Sequence, residues 1–272
     1  MSINFDRNYS QVEYERMLGY SDISEIDKNI FKNYQLSSND VQALKETAKK
    51  DAINFFYNGI ISFSEGIDSA LKKSFSWATV KLYYSIYYLI RASLAAKNIV
   101  LLRCKSMYRL ELSQNSSPYN TGNKRYNTTH EGTINHYRDL YGSADLLLSN
   151  KIDDFDAYEW MLNVREIINY RCATFLEPGH LEIWSQYAAC IEDNTIVELF
   201  DLIISDQRYI YPFQEEYAVI AIPVKRLIQT IKDLGDAGLL NEFQPEKIGY
   251  LQNITQNVPI TSNVLNSFIG NR

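Results

Sequence analysis

One arginine and one histidine lie at a spacing that could support phosphodiester chemistry. Arg125 and His130 are separated by four residues. A histidine can act as a general acid or base and a guanidinium can hold a phosphate. Together they could cleave RNA without metal, through attack of a 2′-hydroxyl on the neighbouring phosphate. The alternative interpretation is that Arg125 is a solvated loop charge and His130 is a residue at the start of a helix.

Two further arginines fall in segments that are otherwise apolar or aromatic. Arg91 belongs to a tyrosine-rich stripe, and Arg165 lies on the apolar face of a later helical pattern that continues to Tyr170. A buried charge without partners is costly, so both guanidinium groups need compensation. They could stack on tyrosines and bind carboxylates such as Glu166, in a structural role. Alternatively, both arginines could converge with His130 and Tyr170 on one polar cleft.

The small number of histidines and cysteines limits the other kinds of site. The chain has three His and three Cys, and His130 and His136 are six residues apart, which does not place two metal ligands on one helix face. HExxH, GxSxG, GxxxxGK[ST] and GxGxxG patterns do not occur. We therefore expect no metal and no cofactor. The widely spaced cysteines favour a reducing cytoplasm, and they are Cys104, Cys172 and Cys190.

Composition describes a globular, helix-rich chain of 272 residues with 46% hydrophobic and 22% charged residues. Only 11 Gly and 6 Pro favour long helices over many short strands. The net charge of −6 differs from that of a strongly basic nucleic-acid binder, although a local basic patch is compatible with it. The start of the chain does not resemble a signal peptide, and Lys81 and Arg91 interrupt the apolar stretch at residues 77–96. We therefore expect a cytoplasmic protein without a membrane partner.

Hydrophobic periodicity predicts the helices that would position these residues. After a polar N-terminal arm at residues 1–37, a helix should begin at Ser38 to Asp40, capped by Asn39 with Gln42 three residues on, and continue to about residue 64. A second, tyrosine-rich helix should run from about residue 74 or 76 to residue 97. The polar stretch at residues 104–129 is compatible with a β-hairpin, with residues 108–112 as one strand, or with a long loop.

The remaining helices follow from the same pattern. A third helix should begin at Thr129, and a fourth should run from about residue 154 to residue 175, before Pro178 and Gly179. Further helices are expected near residues 182–190, 194–205, 213–232 and 261–269, with Pro223 kinking or dividing the third of them. The fold class is therefore all-α, with one short β-hairpin as a candidate insertion.

Three segments in this order resemble members of the HEPN superfamily, in particular its YaaC-like branch. Residues 77–94, WATVKLYYSIYYLIRASL, are similar to the aromatic second helix of that superfamily. Residues 129–132, THEG, resemble the step that opens the next helix, and residues 164–170, VREIINY, resemble a late-helix signature. The resemblance covers roughly residues 40–178 and extends more weakly to residues 211–217. It implies a HEPN-like bundle at 38–180 with a C-terminal helical extension at 181–272.

The resemblance also implies function. HEPN proteins often form homodimers and often work in prokaryotic toxin or phage-defence systems. Their ribonuclease members carry an arginine and then, after four to six residues, a histidine on the late helix. Here Tyr170 occupies the position that follows Arg165 at that distance.

Three functions are compatible with these observations. The first is a non-catalytic or weakly catalytic HEPN-like binding subunit of a defence or toxin-type system, with a protein partner or a second copy. The second is a metal-independent endoribonuclease with RNA as its ligand, and the third is a structural or regulatory helical protein. The candidate catalytic residues are His130, Arg125, Arg165 and Tyr170, and the candidate binding residues are Arg91, Tyr84, Tyr87 and Tyr88.

Overall fold

The computed structural model describes residues 7–20, 25–256, 258, 260, 264 and 265, and this part of the chain is predominantly helical. One two-stranded antiparallel sheet interrupts the helices, so the predicted all-α class with a short hairpin is confirmed. The helices are α1 (Tyr9–Met17), α2 (Lys28–Asn33), α3 (Ser38–Leu71), α4 (Phe75–Ala96), α5 (Thr129–Tyr141), α6 (Ala157–Glu166), α7 (Ser185–Glu192), α8 (Ile196–Ser205), α9 (Glu215–Asp236) and α10 (Pro245–Thr255). The strands are β1 (Ile99–Cys104) and β2 (Ser106–Glu111).

The centre of the fold is an antiparallel pair formed by α3 and α4. Two glycines seven residues apart allow these long helices to approach closely. A Cβ atom at Gly59 would lie 2.8 Å from the side chain of Leu89, and one at Gly66 would lie 2.9 Å from that of Leu82. Because both leucines are fully buried, larger residues at the two glycines would push the helices apart.

The structure corrects the predicted start and end of α3. Ser37 is the N-cap: its hydroxyl accepts a hydrogen bond from the amide of Asp40, whose carboxylate in turn accepts from the amide of Ser37. The prediction of Asn39 as the cap was wrong by two positions, because the capping pair is Ser37 and Asp40. The helix also continues to Leu71, beyond residue 64. In contrast, α4 matches its prediction within about one residue at each end.

The hairpin after α4 has its own small core. Leu102 pairs with Tyr108 across the strands, and Lys105 adopts a positive φ of 60° in the tight turn. Buried side chains of the two strands pack against Tyr14 and Phe31 from the N-terminal helices. This core is separate from the main one, so the N-terminal helices attach to the bundle in part through the hairpin.

The fourth predicted helix is shorter than expected. Helix α6 covers Ala157–Glu166, and the chain then widens into a π-helical turn at Ile167–Arg171. The expected continuation to residue 175 is therefore wrong, because the helix changes its winding well before Pro178. Arg165 lies in the last turn of α6 and Tyr170 lies in the π turn. Such turns occur frequently at functional sites.

Helix α9 is a central helix of the bundle. The prediction was that Pro223 would kink or divide it, and the structure excludes the division, because one helix continues through this proline. The surrounding residues from Ala218 to Val224 are all at least 99% buried, so packing against α4 and its neighbours compensates for the hydrogen bond that proline removes. One hydrophobic core spans both sides of residue 180. The expected boundary there remains a prediction.

A closed polar network attaches α9 to the bundle. The fully buried guanidinium of Arg226 donates to Asp145 at 3.3 Å and to Asp233 at 3.2 Å. It also donates to the hydroxyl groups of Tyr137 at 2.5 Å and Ser93 at 2.8 Å. Two carboxylates and several hydroxyls thus compensate one buried cation.

Two further expectations concern helices that could cross a membrane and the helix near the C-terminus. Among the described residues, none of the helices has the length and hydropathy needed to cross a membrane. The helix expected at residues 261–269 lies outside the described residues except for Val264 and Leu265.

Candidate functional site

His130 lies in the first turn of α5, and its ring packs into the tyrosine-rich face of α4. The ring centroids of Tyr87, Tyr84 and Tyr83 lie 4.6, 5.4 and 5.7 Å from that of His130. Helix periodicity explains this arrangement, because residues three and four positions apart share one face of α4. The side chain of His130 is half-buried between the two helices.

Two arginines complete this group from different elements. Arg91 lies one turn after Tyr87 on α4 and donates from Nη1 to the Tyr87 hydroxyl at 2.7 Å. Its guanidinium carbon also lies 4.3 Å from the ring centroid of Phe55 on α3. Arg165 of α6 places its guanidinium carbon 4.7 Å from the ring centroid of Tyr83. We call Tyr83, Tyr87, Arg91, His130 and Arg165 the His130 cluster.

No carboxylate of the described residues compensates the charges of the His130 cluster. Arg91 and Arg165 are only 9% and 5% exposed, and neither forms an ion pair with a carboxylate in the described part of the chain. The Nε atoms of both arginines and Nδ1 of His130 are buried without a hydrogen-bond partner. Stacking on aromatic rings stabilises a guanidinium only in part. The cluster therefore has unused donors and a net positive charge.

This environment keeps His130 neutral. Burial is the largest cause that lowers the pKa of His130, and the positive charges of Arg165 and Arg91 lower it further, to about 4. At neutral pH one nitrogen of the imidazole is therefore unprotonated and can accept a proton. The geometry agrees with this cause, because Tyr83 and Tyr87, whose rings contact His130, are also the rings that contact Arg165 and Arg91.

Arg125 does not join the cluster, although its spacing from His130 suggested a pair. Its side chain is exposed, with Nε donating to Glu131 at 2.9 Å and Nη2 donating to Glu159 at 2.6 Å. Two carboxylates thus satisfy the guanidinium, which favours a structural role in joining α5 to α6. The catalytic assignment of Arg125 remains a prediction without a contact that supports it.

The candidate tyrosines lie at different depths. Tyr170 is 74% exposed, and its ring centroid lies 5.6 Å from the guanidinium carbon of Arg165, so it borders the cluster at the surface. Tyr88 is half-buried and contacts the rings of Tyr84 and Tyr87, with centroid distances of 6.4 and 5.2 Å. These side chains provide aromatic surface at the edge of the positive cluster.

Sequence reasoning missed two members of this site. Tyr83, Tyr87 and Arg91 recur every four residues, and that spacing could have identified Tyr83 as the ring that faces the second arginine. Phe55 belongs to another helix, and nothing in its local sequence marks it as the support for Arg91. Only the packing of α3 on α4 brings that ring beneath the guanidinium.

The residues present do not resemble a metal site. No group of three or more His, Cys, Asp or Glu side chains that could hold a metal ion occurs among the residues the structure describes. The cluster instead combines two guanidinium groups with an imidazole, a donor set that suits an anion. Phosphate is a fitting anion, because guanidinium groups bind its oxygens through charge-assisted hydrogen bonds.

Comparisons of the chain with protein-family models, with curated proteins and with solved structures found no match. The HEPN-like resemblance therefore remains a prediction from the three sequence segments. The chemistry of the His130 cluster is the strongest basis for a function.

Proposed function

We propose that this protein binds RNA and holds one phosphodiester group at the His130 cluster. The observation that carries the proposal is that Arg91 and Arg165 contact the tyrosines that flank His130, without a carboxylate partner in the described residues. A bound phosphate would supply the missing negative charge and accept hydrogen bonds from the unused donors.

The aromatic surroundings support RNA over a small inorganic anion. Tyr84 and Tyr88 are half-buried beside the cluster, and Tyr170 is largely exposed beside Arg165. Unpaired bases of single-stranded RNA stack on such rings, and phosphates bind nearby cations. The overall charge of −6 repels a polyanion at long range, so binding would depend on this local site.

The HEPN-like resemblance supplies a biological context for this activity. In that context the protein is a binding subunit, non-catalytic or weakly catalytic, of a prokaryotic defence or toxin-type system. A protein partner or a second copy of the chain would accompany it. Purification from the native host should recover a stoichiometric partner or a homo-oligomer, whereas a free monomer under all conditions would contradict this part of the proposal.

Fluorescence anisotropy with labelled single-stranded RNA tests the binding. We expect Arg165→Met and Arg91→Met each to weaken binding by about tenfold or more, since a hydrogen bond to a charged group contributes about 1.5–3 kcal/mol. Arg171→Met is a matched control, because Arg171 is exposed and lies near the same end of α6. The proposal fails if RNA does not bind, or if Arg125→Met reduces binding while the two cluster variants do not.

A second candidate function, metal-independent RNA cleavage, is favoured by the neutral state of His130. The imidazole could accept the proton of a 2′-hydroxyl as its oxygen attacks the adjacent phosphorus. The bond from phosphorus to the 5′-oxygen would then break, giving a 2′,3′-cyclic phosphate. The leaving 5′-oxygen would take a proton from water, and the resulting hydroxide would take back the proton held by the imidazolium. Arg91 and Arg165 would stabilise the charge that develops on the phosphoryl oxygens.

Cleavage is tested separately from binding. RNA is incubated with the purified protein and a chelator, and the termini of the products are identified. Activity that persists in chelator and is lost in His130→Ala supports cleavage. If the wild-type protein binds the RNA and the RNA stays intact, the cleavage function is overturned and the binding function stands.

A further inference from the structure

A wide groove lies on another side of α3. It has a volume of about 750 Å³ and is bordered by the residues before α1, by one face of α3 and by the start of α10. This volume lies within the range of about 300–1,000 Å³ that is usual for ligand sites. The side chains important for its chemistry are Tyr9, Lys50, Asn54, Tyr57 and Lys247.

These side chains combine cations with aromatic rings. The Lys50 ammonium lies 5.7 Å from the ring centroid of Tyr9, and that of Lys247 lies 4.9 Å from the ring centroid of Tyr57. Lys247 also donates a hydrogen bond to Oδ1 of Asn54 at 2.7 Å. In the described residues, neither lysine forms an ion pair with a carboxylate. The groove thus has two ammonium groups available to an anionic ligand.

Two acidic residues also line the groove, but they differ in availability. Asp51 is 5% exposed, and its two carboxylate oxygens accept hydrogen bonds from the amides of Tyr9 and Ser10, both at 2.8 Å. Its carboxylate therefore caps the start of α1. Glu242 is exposed at the edge near α10 and is the acidic group that a bound anion would face.

One side chain, Phe55, belongs both to the groove and to the surroundings of the His130 cluster. Phe55 lines the groove, and its ring supports the guanidinium of Arg91 at 4.3 Å. A small adjacent cavity is bordered by Asn8, Asp51 and Phe55, which also line the groove, and by Arg91 itself. The groove is therefore adjacent to Arg91, with a cavity of about 10 Å³ between them.

We propose that the groove binds the single-stranded RNA that flanks the phosphodiester held by the His130 cluster. This inference rests on the proposed function and adds a second region of contact to it. Bases stack on Tyr9 and Tyr57, and Lys50 and Lys247 neutralise the phosphates between them. Grooves of this type, with cations along the backbone and aromatic rings beneath the bases, bind single strands without strict sequence preference.

Two labelled RNAs of different length test the groove. A trinucleotide can occupy the His130 cluster alone, whereas a 12-nucleotide RNA can occupy both regions. We expect Tyr57→Ala to weaken binding of the 12-nucleotide RNA at least about fivefold, the lower end for a lost base–aromatic stack. Lys247→Ala should weaken it at least as much, because it removes a charged contact to a phosphate. Binding of the trinucleotide should not change.

The controls separate this inference from the proposed function. Lys49→Ala removes an exposed lysine of α3 that pairs with Glu46 and does not line the groove, so it should bind both RNAs as wild type does. Unchanged melting temperatures would show that the variants fold. If Arg165→Met loses binding but the groove variants retain wild-type affinity for the longer RNA, only the inference about the groove is overturned. If wild type binds neither RNA, both proposals are overturned.

Discussion

Buried arginines occur in two regions of this protein, and their surroundings are opposite. Arg226 is fully buried between Asp145 and Asp233 and donates to several hydroxyl groups. Arg91 and Arg165 are nearly as buried, yet they face tyrosines, a phenylalanine and a neutral histidine. In the first region Arg226 and Lys97 pair with the two carboxylates, whereas no described carboxylate pairs with the arginines of the second.

The difference distinguishes a structural network from a binding site. When one partner of a buried ion pair is removed, the protein loses stability, because the other charge stays buried without compensation. A buried cation that lacks an anion already carries that cost in the free protein. An external anion would reduce the cost, and this gain can contribute to binding. Four measurements would weaken or strengthen this distinction.

The largest effect should come from the closed network. Arg226→Met leaves Asp145 and Asp233 buried without their common partner, so we expect the free energy of unfolding to fall by about 3–5 kcal/mol. Urea unfolding followed by circular dichroism measures this change. Arg208→Met, at an exposed arginine, serves as the control and should change stability by less than about 0.5 kcal/mol. A loss below about 1 kcal/mol for Arg226→Met would contradict the structural role of the network.

The next effect concerns His136, which is fully buried beside Tyr126. Burial is the largest cause that lowers its pKa to about 4 from the usual 6.5. Between these values the unfolded chain binds more protons than the folded chain, so stability decreases as the pH falls from 6.5 to 4. The loss should reach up to about 3 kcal/mol, at about 1.4 kcal/mol for each pKa unit.

Urea unfolding at pH 7 and at pH 4.5 checks the contribution of His136. His136→Phe removes the titrating group and keeps a ring in contact with Tyr126, so the stability of this variant should depend less on pH. If the free energy of unfolding of His136→Phe depends on pH as steeply as that of wild type, groups other than His136 cause the loss of stability in acid.

A smaller effect should distinguish His130 from His136 when a ligand binds. A phosphate held by Arg91 and Arg165 places negative charge near the imidazole of His130, which favours its protonated form and raises its pKa by roughly one unit. His136 belongs to a different contact group and should not shift. NMR titration of both imidazoles, with and without a ribotrinucleotide, measures this difference. Equal shifts, or no shift at His130, would argue against a phosphate in the cluster.

The smallest effect should be on the stability of Arg165→Met. This variant breaks no ion pair among the described residues and keeps an apolar stem on Tyr83, so the free energy of unfolding should change by less than about 1 kcal/mol. The comparison with Arg226→Met is matched, because both replace a buried arginine by methionine. Similar large losses for the two variants would remove the distinction between the two regions.

Much of the local structure could be predicted from the sequence. The pattern of apolar residues placed α4 within about one residue and indicated the start of α5 at Thr129. For residues 104–129 it left a hairpin and a long loop open, and the structure has a hairpin whose strand β2 overlaps the candidate strand at residues 108–112. Such features depend on neighbours in the chain, which a sequence pattern contains. The end of α6 was missed, because the spacing of apolar residues does not distinguish the π turn at Ile167–Arg171 from a continued α-helix.

The candidate site was predictable only in part. Spacing along the chain paired Arg125 with His130, whereas the structure holds Arg125 between Glu131 and Glu159. The alternative expectation, that Arg91, His130, Arg165 and Tyr170 converge on one polar cleft, stays a prediction. The structure places Arg91 against Tyr87 and Arg165 against Tyr83, the two rings that contact His130. Ion pairs depend on which side chains meet in space, so equal spacing in sequence does not identify them.

The sequence by itself determined the helical class, most helix positions and the residue types available for chemistry, since periodicity and composition are properties of the chain. Tertiary structure alone decided which arginines are compensated. Asp145 and Asp233 reach Arg226 because α9 packs into the bundle, while no described carboxylate reaches Arg91 or Arg165. Coulomb interactions fall off with distance and depend on burial, and both quantities are set only when distant segments pack together.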